Sequence, residues 1–177
     1  MGQKKYITPY DVQQLQVSKL ENGFAHYSQN EDMKQYEYMI LGDMRSVEES
    51  KRTFVASRQG TLSKDPIRNL KYMFAISTGL ASRFVVEAGL PIEIAYSISD
   101  LYMQKMDVLN TVDEITELHH EMYAHYTKEM QKIRKQNALS RPVTQCIEYI
   151  DSHLNEHLTL AVLSEQMGLS AGHLSAI

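Results

Sequence analysis

The sequence predicts an all-α protein. Apolar residues recur at steps of three and four in one segment after another, the spacing that lines up one face of a helix. No stretch sustains a period-two alternation, and no Asn-Gly pair offers a hairpin turn. The eight glycines and four prolines fall largely where those periodic segments would begin or end.

At 177 residues the chain has length for one domain or two small ones with a real core. Its 43% apolar and 23% charged residues are those of an ordinary globular protein. A formal net charge of −4 gives no overall basic signal for nucleic acid. Cys146 is the only cysteine, which excludes an intramolecular disulfide framework and fits a reducing compartment. The opening "MGQKKYITPYDV" holds no apolar core of signal-peptide length, and Gly2 lacks the spacing of a myristoylation site. No apolar run approaches the roughly 18 residues that span a bilayer. The expectation is a cytoplasmic protein with no membrane partner.

Element by element, Pro9 opens a first helix with Val12, Leu15 and the Lys19 methylenes along one side, closing at Gly23. Met33, Tyr36, Met39 and Ile40 follow at helical spacing, and Gly42 either interrupts that helix or sits inside a longer one. "SRQGTLSKD" is a polar connector. Asp65 is a good N-cap and Pro66 a good first helical residue. Ile67, Leu70, Phe74, Ala81, Phe84, Val85 and Ala88 then form a stripe, and Gly89 suits a left-handed end. After Pro91 the expected stripe is Ile94, Ile98, Leu101, Tyr102 and Leu109. Thr111 and Glu114 have capping-box spacing. The helix they open carries Ile115, Leu118, Met122, Tyr126, Met130 and Ile133, a near-heptad seam that suits either a core or a dimer contact. "KEMQKIRKQNALSRP" turns basic and polar, which places a linker at about residues 135–141. Val143, Cys146, Ile147, Ile150 and Leu154 share the next helical face, and Thr159 caps a further helix.

The last stretch, "LTLAVLSEQMGLSAGHLSAI", reads as helix, tight turn, helix. Ser164 is the small residue needed where two helices touch. Gly168, four positions on, tolerates positive φ at the turn. Leu163, Met167, Leu169, Leu174 and Ile177 form the inward set, and Ser170 caps the second helix. An ordinary helical hairpin would use the same residues.

The segment "PVTQCIEYIDSHLNEHLTLAVLSEQMGLSAGHLSAI" resembles the start of the AraC/XylS-family DNA-binding domain. The resemblance rests on Tyr149, Ile150, His153, Leu158, Thr159, Leu160, Gly168, Leu169 and Ser170, and covers a fifth of the chain. The segment from Asp65, "DPIRNLKYMFAISTGLASRFVVEAGLPIEIAYSISDLYMQKMD", is similar to a helical region upstream of that domain in some bacterial AraC-type regulators. Together these imply a non-enzymatic transcription regulator without a cofactor. Residues 1–136 would form a helical regulatory module, its self-association face on the helices of residues 65–133, giving a homodimer. Residues 137–177 would form the first, incomplete helix-turn-helix of the DNA-binding domain. Family members carry two such units, and this chain ends inside the first recognition helix. The resemblance implies insertion in the major groove. Gly172, Ser175 and Ala176 would face bases, and Ser170 and His173 would lie near phosphate or core. The family often has arginine where Ala176 stands, and His173 fits packing better than base reading. The effector, the operator and the direction of regulation are not encoded in any of these residues. The competing reading is a dimerisation or partner-binding module whose closing hairpin is structural.

Two histidine clusters invite a metal reading. "HLNEH" at 153–157 fits the inverted zinc-protease pattern but has little chain left for a third ligand. His153 better suits helix-end packing, and His157 a surface loop. In "HHEMYAH" at 119–125, His120 and His125 lie about 140° apart on a helix and cannot share an ion. Glu121 and His125 can, but two ligands make a weak site. His119 falls on the apolar stripe and is expected to be packed.

From residue 138 onward Arg141 is the single Lys or Arg, against Glu148, Asp151, Glu156 and Glu165. Phosphate binding needs cations, because counterion release supplies most non-specific affinity. This 177-residue chain is therefore expected to bind DNA weakly or not at all in a mobility-shift titration. Tight, sequence-dependent shifts would contradict that reading of its charge.

Overall fold

The computed structural model describes residues 6–24, 29–54, 60–154 and 158–174, and among these every regular element is helical. In chain order they are α1 (Pro9–Glu21), α2 (Gln29–Ile40), α3 (Arg45–Phe54), α4 (Pro66–Glu87), α5 (Ile92–Asp107), α6 (Val112–Ser152), α7 (Leu160–Met167) and α8 (Ala171–Leu174).

Local chemistry sets most of the boundaries. Thr8 and Asp11 form a full capping box ahead of Pro9. Asp65 accepts from the Arg68 N–H and Pro66 follows it. Thr111 accepts from the Glu114 N–H, while its hydroxyl donates back to the Glu114 carboxylate at 2.6 Å. Gly42 does interrupt the second segment. It takes φ +70°, and the Asp43 N–H reaches back to the Tyr38 carbonyl while the Gly42 N–H reaches Met39. The site is doubly specific for glycine, since a Cβ there would lie 2.8 Å from Gln131 Cγ. Gln131 in turn donates to the Gly42 carbonyl at 2.7 Å, fastening the α2–α3 corner to α6.

Helices α2 to α5 pack around the first half of α6, which touches all four. The seam of Ile115, Leu118, Met122, Tyr126 and Met130 is buried within the protomer, with Ile133 packed at its end, so it is core. Tyr36, Met39, Phe54, Phe74, Ala81 and Val85 meet it from the other helices. The α5 face differs from the expected one. Ile98 and Tyr102 are buried, but Leu101 is 64% exposed and Ile94 is exposed too, and the stripe runs instead through Ala95 and Met106. The Tyr126 hydroxyl of α6 donates to the Ala95 carbonyl at 2.9 Å, which fastens the Ala95 side of α5 against α6.

The expected linker at 135–141 is helical: α6 runs unbroken through it and through Pro142, so the proposed division at residue 136 falls inside one helix. Lys, Gln, Ala, Leu and Arg are strong helix formers, and polarity there marks solvent exposure, not coil. Beyond it the face of Val143, Ile147 and Leu154 is exposed, with Ile147 at 55%; only Cys146 and Ile150 are half-buried. Helix α1 buries none of its residues.

A polar seam runs through the core. Ser77 Oγ lies 2.9 Å from His119 Nε2 and 3.1 Å from the Tyr123 hydroxyl. Thr127 donates to the Tyr123 carbonyl at 2.7 Å, and Ser46 lies 2.6 Å from the Thr127 hydroxyl. His119 stacks on Phe54 at 3.7 Å between centroids, as its place on the apolar stripe predicted, and its Nδ1 meets no hydrogen-bonding partner among the described residues. Burial pushes its imidazole well below the ordinary 6.5. The unfolded chain then binds a proton below that pH that the folded chain refuses, so stability falls as pH falls. One such proton is worth about 1.4 kcal/mol per pH unit. Half-buried His120, lowered chiefly by burial, acts in the same direction. Thermal unfolding followed between neutral and acidic pH should therefore lose about one proton of pH dependence in His119→Gln. An unchanged slope would mean that His119 is not the neutral buried group.

Candidate nucleic-acid interface

The closing hairpin begins where α6 ends. His153 caps that helix, its N–H donating to the Ile150 carbonyl. Its ring stacks on Tyr149 at 4.1 Å, with Nδ1 2.8 Å from the Tyr149 carbonyl oxygen. This is the helix-end packing role expected of it; His157 and the rest of 155–157 lie outside the described residues.

Thr159 then caps α7, accepting from the Val162 N–H at 3.3 Å. Gly168 ends α7 in the left-handed conformation, φ 62° and ψ 27°. The Leu169 N–H returns to the Ser164 carbonyl at 3.0 Å and the Gly168 N–H to Glu165 at 3.3 Å, a Schellman closure. After a two-residue step α8 begins at Ala171. Helix α7 packs against α6 on one side and α8 on the other. Leu163, Met167 and Leu169 are half-buried between them, and no residue of α7 is fully buried. Of the remaining inward set, nothing is described of the Leu174 side chain, and Ile177 lies outside the described residues.

The five candidate DNA-contacting residues divide in the same way. Ser170 and Gly172 are exposed at the turn and the start of α8. A Cβ at Gly172 would meet nothing within 4 Å, so its surface is open. His173 lies on the α8 backbone. Ser175 and Ala176 fall outside the described residues.

Around these residues the exposed charges on α6 and α7 are Glu148, Asp151 and Glu165. The nearest exposed cations among the described residues are Lys135, Arg134, Lys132 and Lys128, earlier on α6, and of these only Lys135 falls within the expected linker. Lys128, Lys132 and Lys135 share one exposed face there, with Lys132 paired to Glu129 at 2.6 Å. Along a helix rising 1.5 Å per residue, Lys135 stands about 20 Å from Tyr149. Their spacing of four and three was visible in the sequence, but its meaning depended on the helix continuing.

No group of three His, Cys, Asp or Glu side chains among the described residues is placed to hold a metal ion. His125, a suggested partner of Glu121, instead sets Nδ1 3.3 Å from the Tyr102 hydroxyl and Nε2 3.9 Å from Glu129. No helix among the described residues is long and apolar enough to cross a membrane. No family model, curated protein or solved structure matches the chain.

The turn offers a direct test. A Cβ at Gly168 would meet open space, so substitution there acts through backbone strain alone, about 1–2 kcal/mol. Gly168→Val should speed amide exchange across residues 160–169 and leave the thermal transition of the bundle unchanged. A lower melting temperature would show that α7 belongs to the cooperative core.

Proposed function

We propose that the chain is a bacterial transcription regulator of the AraC type. In this reading the α2–α6 bundle is the regulatory and self-associating part, and α7, the Gly168 turn and α8 open the DNA-binding domain. The observation that carries the reading is the closing hairpin, where a threonine-capped helix, a small residue at Ser164 and a left-handed glycine four positions later lead into a second helix. Of these, the Thr159 cap and the Gly168 turn are residues on which the family resemblance rests. The protein would act in the cytoplasm as a homodimer, without enzymatic chemistry, in response to an effector whose class no residue here specifies. The exposed α6 lysines 128, 132 and 135 supply positive charge that the hairpin lacks, and phosphate contacts are their natural use.

The second reading, a partner-binding module without DNA contact, draws on the acidic surface beside Ser170 and Gly172. Fluorescence anisotropy separates the two. The 177-residue chain is titrated with duplex DNA, alongside a longer version wherever its gene encodes residues after Ile177. The regulator reading expects sequence-dependent, salt-sensitive binding in the longer protein, weakened and with a shallower salt slope when Lys128, Lys132 and Lys135 are replaced by glutamine. Absence of binding in both would favour the partner module.

A further inference from the structure

The α4 surface opposite the core is not the polar face that a solvated helix normally presents. Phe74, Ser77, Thr78, Ala81, Ser82 and Val85 are turned inward. On the far side Tyr72 is 46% exposed, Ile76 51% and Leu80 42%. At 100° per residue, Tyr72, Ile76, Gly79 and Arg83 fall within about 60° of one another, directly away from the buried set. Their steps of four, three and four are heptad spacing. Gly79 has no explanation inside the protomer. It sits mid-helix, where glycine is a poor choice, it needs no positive φ, and a Cβ would meet nothing within 4 Å. A missing side chain on an exposed apolar stripe is what lets a second helix approach closely.

We propose that this face of α4 binds the α4 of a second copy of the chain, antiparallel, about a two-fold axis between Ser77 and Thr78. Charge selects the occupant and its direction. Exposed Arg68 stands near the start of the stripe and Glu87 at its end, where Arg83 already pairs with it at 2.9 Å. A parallel pair would set Arg68 against Arg68 and Glu87 against Glu87. The antiparallel pair sets Arg68 against the second copy's Glu87, and Tyr72 against its Arg83, a cation–π arrangement. The same axis places Ile76 over Gly79 and Leu80 over Ala75, a large residue into a small one each time. Every such contact occurs twice, as an isologous interface requires. The inference deepens the homodimer reading above and rests on it, but it is independent of DNA binding.

Sedimentation equilibrium on the full chain tests it, with circular dichroism confirming that each variant keeps its helices. The wild-type chain should be a dimer at micromolar concentration. Arg68→Glu and Glu87→Arg should each weaken it about tenfold, and the two together should restore it. Ile76→Glu should leave a folded monomer. A monomeric wild-type chain would overturn the homodimer reading and this interface together. A dimer indifferent to all four variants would keep the homodimer and overturn this face. A dimer broken by Ile76→Glu but not restored by the double exchange would overturn the antiparallel pairing.

Discussion

The fold depends on the covering of one side of α6 between Ile115 and Met130. Every other helix of the bundle is held by contact with that strip, and the strip reaches no further than Ile133. At 1.5 Å per residue a 41-residue helix is about 60 Å long, so roughly half of it extends beyond the core. One continuous element therefore serves two environments. Its first half is fixed by tertiary packing, and its second half is maintained by helix propensity, by the His153 cap and by the modest contact with α7.

The core that fixes the first half is not purely apolar. Ser77 pairs with His119 and the Tyr123 hydroxyl between α4 and α6, Ser46 pairs with Thr127 between α3 and α6, and Thr127 joins the two pairs through the Tyr123 backbone carbonyl. Such groups are costly to bury unless paired, and the pairings are specific to one arrangement of the helices. The polar seam adds uniqueness to a core rich in methionine and tyrosine, side chains that by themselves would tolerate several packings.

What could be read in the sequence was what is locally encoded. The Asp65–Pro66 start, the Thr111 and Thr159 caps and the Gly89 and Gly168 ends depend on residues within a few positions of each other, and all are present. The α6 seam was legible because its apolar spacing is long and unbroken. The rotation of α5 was not, since it is tied to contacts with α6 such as the Tyr126 hydroxyl on the Ala95 carbonyl, 31 residues away. Nor was the Gly42–Gln131 fastening, which joins residues 89 apart. The helical state of residues 135–141 is not legible from their polarity, since helix-forming residues on an exposed rod are as polar as those of a coil. Of the candidate site, Ser170 and Gly172 emerge exposed at the hairpin. Ser175 and Ala176 lie outside the described residues.

The division of labour along α6 is the central claim, and residue-resolved native-state hydrogen exchange measures it directly. Amides from 115 to 133 should exchange only through global unfolding, while those from 143 to 152 should open locally at much lower free energy. Uniform protection from end to end would contradict the claim, because it would mean that the second half of α6 is held by packing as firmly as the first.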